Sequence, residues 1–141
     1  FQIRWNEALG KDDCIYGYRW VFIFFGYSIR LHKWIKSEPI AHQHDHVWSF
    51  LIFTLFGGYI DVSTDKDGKT IIDKVKTGSV RYRNADHTHN IVLAKNTVCW
   101  SLLFTSKPSK DKNWGFFVNL KKIRPLRYFS KYGYLKTCRD D

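Results

Sequence analysis

The sequence predicts an all-β protein, because it is rich in aromatic residues, alternates apolar with polar residues and carries regularly spaced turn signals. Aromatic residues make up 18% of the chain, and only three of its 141 residues are proline. Aromatic and β-branched side chains pack well on a pleated sheet. Short alternating segments between turns are typical of an antiparallel sandwich or a small barrel. We expect one domain that spans residues 1–141.

The first half of the chain contains one clear strand and one long apolar segment. Residues 28–35 alternate apolar and polar side chains, which predicts a strand, and the turn residues 37–39 follow it. Residues 47–60 are apolar and form one bent strand or two strands, broken at Gly57-Gly58, where a bulge or sharp turn is permitted. Only residues 5–13 and the C-terminal segment could hold short helices.

The second half of the chain predicts a series of short strands. Asp67-Gly68 is a hairpin turn signal, and Lys95-Asn96 is a second turn. The strands predicted around these turns are 70–76, 80–83, 89–93, 98–104 and 114–119.

The basic charge of the chain suggests a polyanionic partner. The formal net charge is +10, and the isoelectric point is about 9.6. Basic and aromatic residues alternate in residues 121–136, a mixture used to bind single-stranded nucleic acid. The alternative is a basic C-terminal segment that packs its aromatic side chains on the barrel. The sequence leaves both interpretations open.

The cysteines and the apolar segments indicate a cytoplasmic setting. Cys14, Cys99 and Cys138 are widely spaced and contain no C-x-x-C pair, so they indicate neither a disulfide framework nor a zinc ribbon. A reducing, cytoplasmic environment follows from that interpretation. The apolar segment 20–25 is far shorter than the roughly 20 residues of a membrane helix, so we expect a soluble protein that does not contact a membrane.

Five of the six histidines form two clusters. His42, His44 and His46 occupy alternate positions, as do His87 and His89. Alternate side chains of a strand point to the same face, so each cluster points in one direction. Three neutral imidazoles can hold a metal ion and leave positions for water or substrate, as a catalytic site requires. The clusters therefore predict a metal site.

The histidine clusters also carry a resemblance to the cupin family. The chain resembles the first cupin motif, G(x)5HxH(x)4E(x)6G, at His44-Asp45-His46 and at Gly58. Leu51 stands in the position of the acidic ligand. The chain resembles the second motif, G(x)5PxG(x)2H(x)3N, at Gly78 and His89. This resemblance implies a double-stranded β-helix, or jelly-roll barrel, with short N- and C-terminal extensions. It also implies His44, His46 and His89 as metal ligands.

A more detailed pattern resembles the small cupin-like proteins encoded by bacteriophages. It consists of HDHxWxF, then GGY, then G, R, A and H, and finally WGF, and it covers residues 28–117. This resemblance implies a phage origin, and hence the host cytoplasm, but brings no settled reaction. Cupins frequently dimerise by adding strands across sheet edges, so the family also implies a homodimer.

The missing carboxylate leaves a three-histidine site, which resembles that of thiol dioxygenases. Its metal is Fe(II) or Zn(II), with nickel or manganese as further options, because imidazole accepts all of them. His42 or His87 could add a fourth ligand, or each could lie beside the site or in solvent. Asp45, on the opposite strand face, is expected to accept hydrogen bonds rather than to act as a base.

The expected substrate pocket surrounds the histidines. Trp48, Phe50 and Ile52 share the strand face of His46 and would form an apolar wall. The candidate substrate-binding residues are Arg30, His32, Trp48 and Arg83. Either the arginines would hold an anion, or they would be exposed charges on the outside of the barrel. His32 would either line the cavity or be a packed core residue.

The leading functional hypothesis is a metal-dependent cupin that acts on a small anionic molecule. It would be a dioxygenase-like Fe(II) enzyme, or an isomerase or hydrolase that uses zinc or nickel. The alternative is a non-catalytic phage protein that sequesters a small anionic or nucleotide ligand, or that contacts nucleic acid through its basic C-terminal segment. The sequence assigns no catalytic residue, so it leaves open whether the protein is an enzyme.

Overall fold

The computed structural model describes residues 1–11, 14–119 and 121–133. Nearly all of its regular structure is β-strand, followed by one short helix, α1 (Pro125–Lys131). The strands are β1 (Gln2–Lys11), β2 (Cys14–Phe24), β3 (Tyr27–Trp34), β4 (Phe50–Phe56), β5 (Tyr59–Thr64), β6 (Thr70–Val75), β7 (Val80–Arg83), β8 (His89–Val92), β9 (Cys99–Thr105), β10 (Phe116–Val118) and β11 (Lys121–Ile123).

Among the described residues the strands form three antiparallel sheets: strands β10 and β11 pair with each other, and the other two sheets pack around the main core. The larger sheet has six strands in the order β1-β2-β3-β9-β4-β7, and the smaller has three in the order β6-β5-β8. Trp34, Phe50 and Leu103 of the larger sheet belong to the same buried cluster as Tyr59 and Ile91 of the smaller sheet. This arrangement confirms the predicted all-β jelly-roll fold.

The N-terminal segment differs from its prediction. The sequence allowed a short helix within residues 5–13, but the described part of this range lies in strand β1, which pairs with β2. Register shifts between Arg4 and Glu7 and between Leu9 and Gly10 interrupt the alternation. These β-bulges hide the period of two by which a strand is recognised in sequence. The helix expected in the C-terminal segment is present as α1.

The structure also corrects the prediction made from the cysteines. Cys14 takes part in a disulfide bond, which the sequence interpretation did not anticipate. Cys99 is a buried free thiol, and burial raises its pKa to about 11. Cys138 lies outside the described residues. Wide spacing along the chain is a weak argument against a disulfide, because the entropy of loop closure rises slowly with loop length. No helix among the described residues has the length and hydrophobicity to cross a bilayer.

The turn between β4 and β5 depends on glycine. Gly57 has φ +72°, a left-handed conformation, and a Cβ there would overlap the carbonyl oxygen of Val98. Gly68, in the β5–β6 hairpin, has φ +81° but open space around its Cα. Both glycines have a left-handed backbone, but only at Gly57 would an added Cβ collide with a neighbouring atom.

Gly57→Ala should therefore lower the melting temperature much more than Gly68→Ala. The left-handed backbone alone costs about 1 kcal/mol, or about 3 °C for a chain of this size. The added overlap at Gly57 should raise the cost to about 3 kcal/mol or more. Circular dichroism melts of both variants test this difference, and equal shifts would contradict the tight turn at Gly57.

Candidate metal centre

A cavity of about 360 Å³ lies between the two sheets. Residues from β3 and β4, from β5 and β8, and from the segment before β4 contribute to its wall. Much of the wall is aromatic, and its tyrosine, tryptophan and phenylalanine rings are Tyr16, Trp34, Trp48, Phe50, Tyr59, Trp114, Phe116 and Phe129. The predicted apolar wall beside the histidines is therefore present, and it limits the access of water to the polar groups inside.

His44, His46 and His89 meet in this cavity. Each offers one ring nitrogen, and the three nitrogens lie within 4.8 Å of one another. Two backbone hydrogen bonds bring the clusters together: His44 N–H donates to His89 O at 3.1 Å, and His89 N–H donates to His44 O at 2.9 Å. The HxH spacing then brings His46 to the same side as His44.

A buried carboxylate selects the tautomer of His89. Nδ1 of His89 donates to Asp61 Oδ2 at 2.8 Å, and Asp61 is only 1% exposed. Burial by itself would raise the pKa of Asp61, but hydrogen bonds from His87 and His89 outweigh it and hold the pKa well below its ordinary value. With Nδ1 protonated, Nε2 of His89 keeps its lone pair for another partner.

The histidines of the group are neutral at neutral pH. Burial, with the neighbouring His89 as the next cause, lowers the pKa of His44 to about 3. Burial likewise lowers the pKa of His46 and, against the opposing effect of Asp61, that of His89. A metal ligand must be unprotonated, so these side chains are in the binding form without the loss of a proton.

Glu38 is a site residue that sequence reasoning missed. It was interpreted as part of a turn, yet it lines the cavity, with Oε2 3.5 Å from Nδ1 of His44. Burial raises its pKa to about 8, so the carboxyl group is mainly protonated at neutral pH. Among the described residues, Glu38 Oε2 and the Nδ1 atoms of His44 and His46 have no hydrogen-bond partner.

A second grouping of ligand atoms shares His89. Asp61, His87 and His89 also offer atoms that lie within 4.8 Å of one another. However, Asp61 already accepts hydrogen bonds from both histidines and lies 3.5 Å from the Arg83 guanidinium. A fixed positive charge beside the carboxylate disfavours a cation there. This geometry favours the three-histidine group.

The two proposed extra ligands lie outside the three-histidine group. His87 contacts Asp61 instead, at 3.0 Å. Nδ1 of His42 is hydrogen-bonded to the Tyr128 hydroxyl at 2.8 Å, and its ring packs against Tyr132. Leu51, in the position of the cupin carboxylate, is 40% exposed on the outer face of β4.

Arg30 brings an unpaired positive charge to the cavity wall. Its guanidinium lies 4.8 Å over the Trp48 ring, and its Nε donates to Ser28 Oγ at 3.0 Å. Burial lowers its pKa to about 10, which leaves it charged at neutral pH. Among the described residues no carboxylate lies within ion-pair distance of Arg30, whereas the neighbouring Arg19 is paired with Glu7 at 2.7 Å.

The remaining predicted residues have different surroundings. His32 lines the cavity, but Arg83 does not, because it is held by Asp73 at 2.7 Å and by Asp61. Asp45 is buried and accepts a hydrogen bond from Gly115 N–H at 2.9 Å. Its further partners are Lys112 at 3.3 Å and Lys122 at 2.8 Å. These contacts agree with the acceptor role expected for Asp45.

The fold of this chain is similar to that of several solved proteins. Solved structures of similar fold include Fe(II) HppE, the formate complex of Lactobacillus farciminis oxalate decarboxylase, and vicilin from Solanum melongena. Their TM-scores are 0.59, 0.56 and 0.60, at 13%, 18% and 11% identity. At such identities the likeness shows the fold alone, and that fold is the cupin jelly roll.

The matches cover much of this chain but a smaller share of its neighbours. They cover 71%, 79% and 79% of this chain, against 55% of HppE and 31% each of the decarboxylase and the vicilin. No protein-family model matches the sequence, and no curated protein sequence is significantly similar to it.

The neutral state of His32 makes the stability of the fold depend on pH. Burial, with Arg30 as the next cause, lowers the pKa of His32 to about 3, below its value of 6.5 in an unfolded chain. The unfolded state therefore binds more protons between these two values, and stability is lost as the pH falls below about 6.5.

His32→Gln should accordingly flatten the loss of stability between about pH 6 and pH 4. Each such group contributes up to about 1.4 kcal/mol per pH unit. Urea unfolding of both proteins in the presence of a chelator measures the two slopes. Equal slopes would show that His32 is not held neutral in the folded protein.

Proposed function

We propose that the protein is a metal-dependent cupin that acts on a small anionic molecule. His44, His46 and His89 would hold a divalent ion, with Fe(II) and Zn(II) ahead of nickel and manganese. The observation that carries the proposal is the convergence of three imidazole nitrogens within 4.8 Å in an aromatic-walled cavity.

The residues present are suited to such an ion. The three imidazoles are neutral, and Asp61 directs the lone pair of His89 Nε2 away from itself. A carboxylate behind a ligating histidine is the usual way in which proteins orient such a ligand. When bound, the ion would supply Lewis-acid polarisation of a substrate oxygen or of water, or redox chemistry if it is iron.

The charge of the site supports an anionic substrate. None of the three histidine ligands is negatively charged, and the nearby Glu38 is mainly protonated at neutral pH. Arg30 adds a positive charge that makes no ion pair with a described carboxylate, since Glu7, which attracts it from a distance, is paired with Arg19. An anionic group of the substrate would bind Arg30, while the Trp48 ring holds the guanidinium in place and excludes water.

The choice between a dioxygenase and an isomerase or hydrolase depends on the native metal. The cupin-fold neighbours include an Fe(II) protein, HppE, and an oxalate decarboxylase in complex with formate. These ligands belong to the neighbours, and for this chain they do not favour one branch over the other.

A non-catalytic anion-binding protein is the second candidate. The unpaired Arg30 favours it equally, and the vicilin neighbour is described with different anionic ligands in structurally similar pockets.

Binding of nucleic acid through the C-terminal segment has less support. Tyr128 is fully buried and stacks on Phe116, so its ring is not available to a base. Phe129 also packs against Phe116, whereas Tyr132 is 38% exposed.

Elemental analysis of untagged protein purified without chelators tests the metal proposal. We expect nearly one equivalent of metal in the wild type, and its loss in His46→Ala, which affects only the three-histidine group. His87→Ala is the matched control, since it affects only the Asp61 grouping. Iron would favour the dioxygenase branch, and zinc or nickel the polarising branch. Metal lost from His87→Ala but retained by His46→Ala would contradict the assignment, and a wild type without metal after reconstitution would favour the anion-binding protein.

Arg30→Gln should weaken the binding of small anions by about 10- to 100-fold, because charge-assisted hydrogen bonds contribute about 1.5 to 3 kcal/mol. Calorimetric titration with oxalate and with inorganic phosphate measures the change. Lys33→Gln is the matched control, because it removes the same charge from the opposite face of β3. Equal losses in the two variants would assign anion binding to the net charge rather than to the cavity.

A further inference from the structure

The cavity extends from the three histidines to the N-terminal strands. Leu9 of β1 and Tyr16 and Arg19 of β2 contribute to its wall, together with Arg30 and His32 of β3. The residues of β1 and β2 precede position 28, where the sequence resemblance begins. This end of the cavity is therefore formed in part by a segment outside the region that resembles the family.

Three nitrogen-bearing side chains lie on the inner face of the sheet at this end. Arg19 is directly opposite His32 in the β2–β3 register, and Arg30 lies two residues before His32 on the same strand face. Opposite and diagonal positions of paired strands lie about 5 to 8 Å apart, within reach of long side chains. We call Arg19, Arg30 and His32 the distal subsite.

Polar atoms of the distal subsite lack partners within the described part of the chain. Nε of Arg19 and Nε2 of His32 are buried, and neither has a hydrogen-bond partner there. The same row of the sheet continues with the buried residues Ser101 and Thr54, whose hydroxyl groups also lack partners in that part of the chain. Buried polar groups are nearly always hydrogen-bonded, so this concentration of them indicates the place of a polar ligand.

The distal subsite carries more positive charge than the described carboxylates neutralise. Glu7 pairs with Arg19 at 2.7 Å and is shared with Arg4 at 3.7 Å. Arg30 makes no ion pair with a described carboxylate, and burial, with Arg19 as the next cause, lowers its pKa to about 10. A buried charge is costly unless it is paired. One negative charge on a ligand would compensate Arg30.

An apolar part of the cavity separates the distal subsite from the histidines. The Trp48 ring contacts both ends, because the Arg30 guanidinium lies 4.8 Å from its centre and the His46 ring lies 5.0 Å away. Leu103, opposite Arg30 in the β3–β9 register, and Ile52 are buried and line the cavity. A ligand that reaches both ends therefore needs a short apolar segment between two polar groups.

We propose that the cavity binds a small two-ended organic acid, with one carboxylate in the distal subsite and a second carboxylate or similar oxygen group at the three histidines. The single charge of a carboxylate matches the uncompensated charge of Arg30, and its two oxygens suit guanidinium donors. Arg19, which the N-terminal strands supply, would be a specificity-determining residue. The metal-bound end rests on the proposed function, whereas the distal subsite does not.

NMR titration of the full chain with hexanoate tests the distal subsite. Arg19→Gln should weaken binding about 10-fold, because it removes a charged donor. Arg4→Gln is the matched control, since Arg4 also contacts Glu7 but does not line the cavity, and it should have a much smaller effect. Glu7→Gln should strengthen binding about 3-fold, because it frees Arg19 from its carboxylate. A variant that merely fails to fold cannot bind more tightly.

The spacing of the two ends is tested with unbranched dicarboxylates from malonate to suberate, each compared with the monocarboxylate of the same length. In zinc-loaded protein we expect one chain length at which the dicarboxylate binds about 10-fold more tightly than the monocarboxylate, because the second end then binds intramolecularly. His46→Ala should remove this advantage and leave the affinity for monocarboxylates unchanged.

The outcomes separate the two ends of the ligand. Equal losses in Arg19→Gln and Arg4→Gln, or weaker binding by Glu7→Gln, would overturn the distal subsite. Zinc-loaded protein with no preferred dicarboxylate length would overturn the two-ended ligand. A chain that takes up no zinc but binds monocarboxylates through Arg19 would contradict the proposed function and support the distal subsite.

Discussion

The buried carboxylate of Asp61 is the interaction on which the rest of the site depends. It lies on β5 and accepts hydrogen bonds from His87 and His89, while Arg83 of the larger sheet lies 3.5 Å away. An ionised group this deeply buried is stable only when it is paired, so these contacts constrain one another. They connect the two sheets at one edge of the cavity and set the tautomer of His89. The candidate metal centre is therefore a consequence of how one buried charge is neutralised.

The larger sheet has an unusual distribution of polarity. On β3 the polar residues Arg30 and His32 face the cavity, whereas Ile29 and Leu31 face outward. In an ordinary barrel strand the apolar residues face the core. Here the interior is polar at the end where Arg30 and His32 line the cavity, and the outer face of the same strand is apolar.

Several features could be predicted from the sequence because their causes are local. The strands from 28 onward follow from alternation and turn residues, and the meeting of His44 with His46 follows from the two-residue period of a strand. Bulges in β1 broke that period, which is why the sequence left a short helix open there and did not predict the strand. Glu38 and Asp61 escaped detection because each is a single carboxylate in an unremarkable local sequence. Only contacts with residues distant in the chain bring them to the site.

The sequence by itself determined the all-β class, most strand positions and the cupin resemblance. It also determined which residues share a strand face, because that depends only on neighbours along the chain. The tertiary structure decided which face points inward, because a one-residue change of register would exchange the two faces. It also decided that Arg30 lines the cavity, while Arg83, which is held by Asp61 and Asp73, does not. These outcomes depend on pairing and burial between distant segments, which no local pattern encodes.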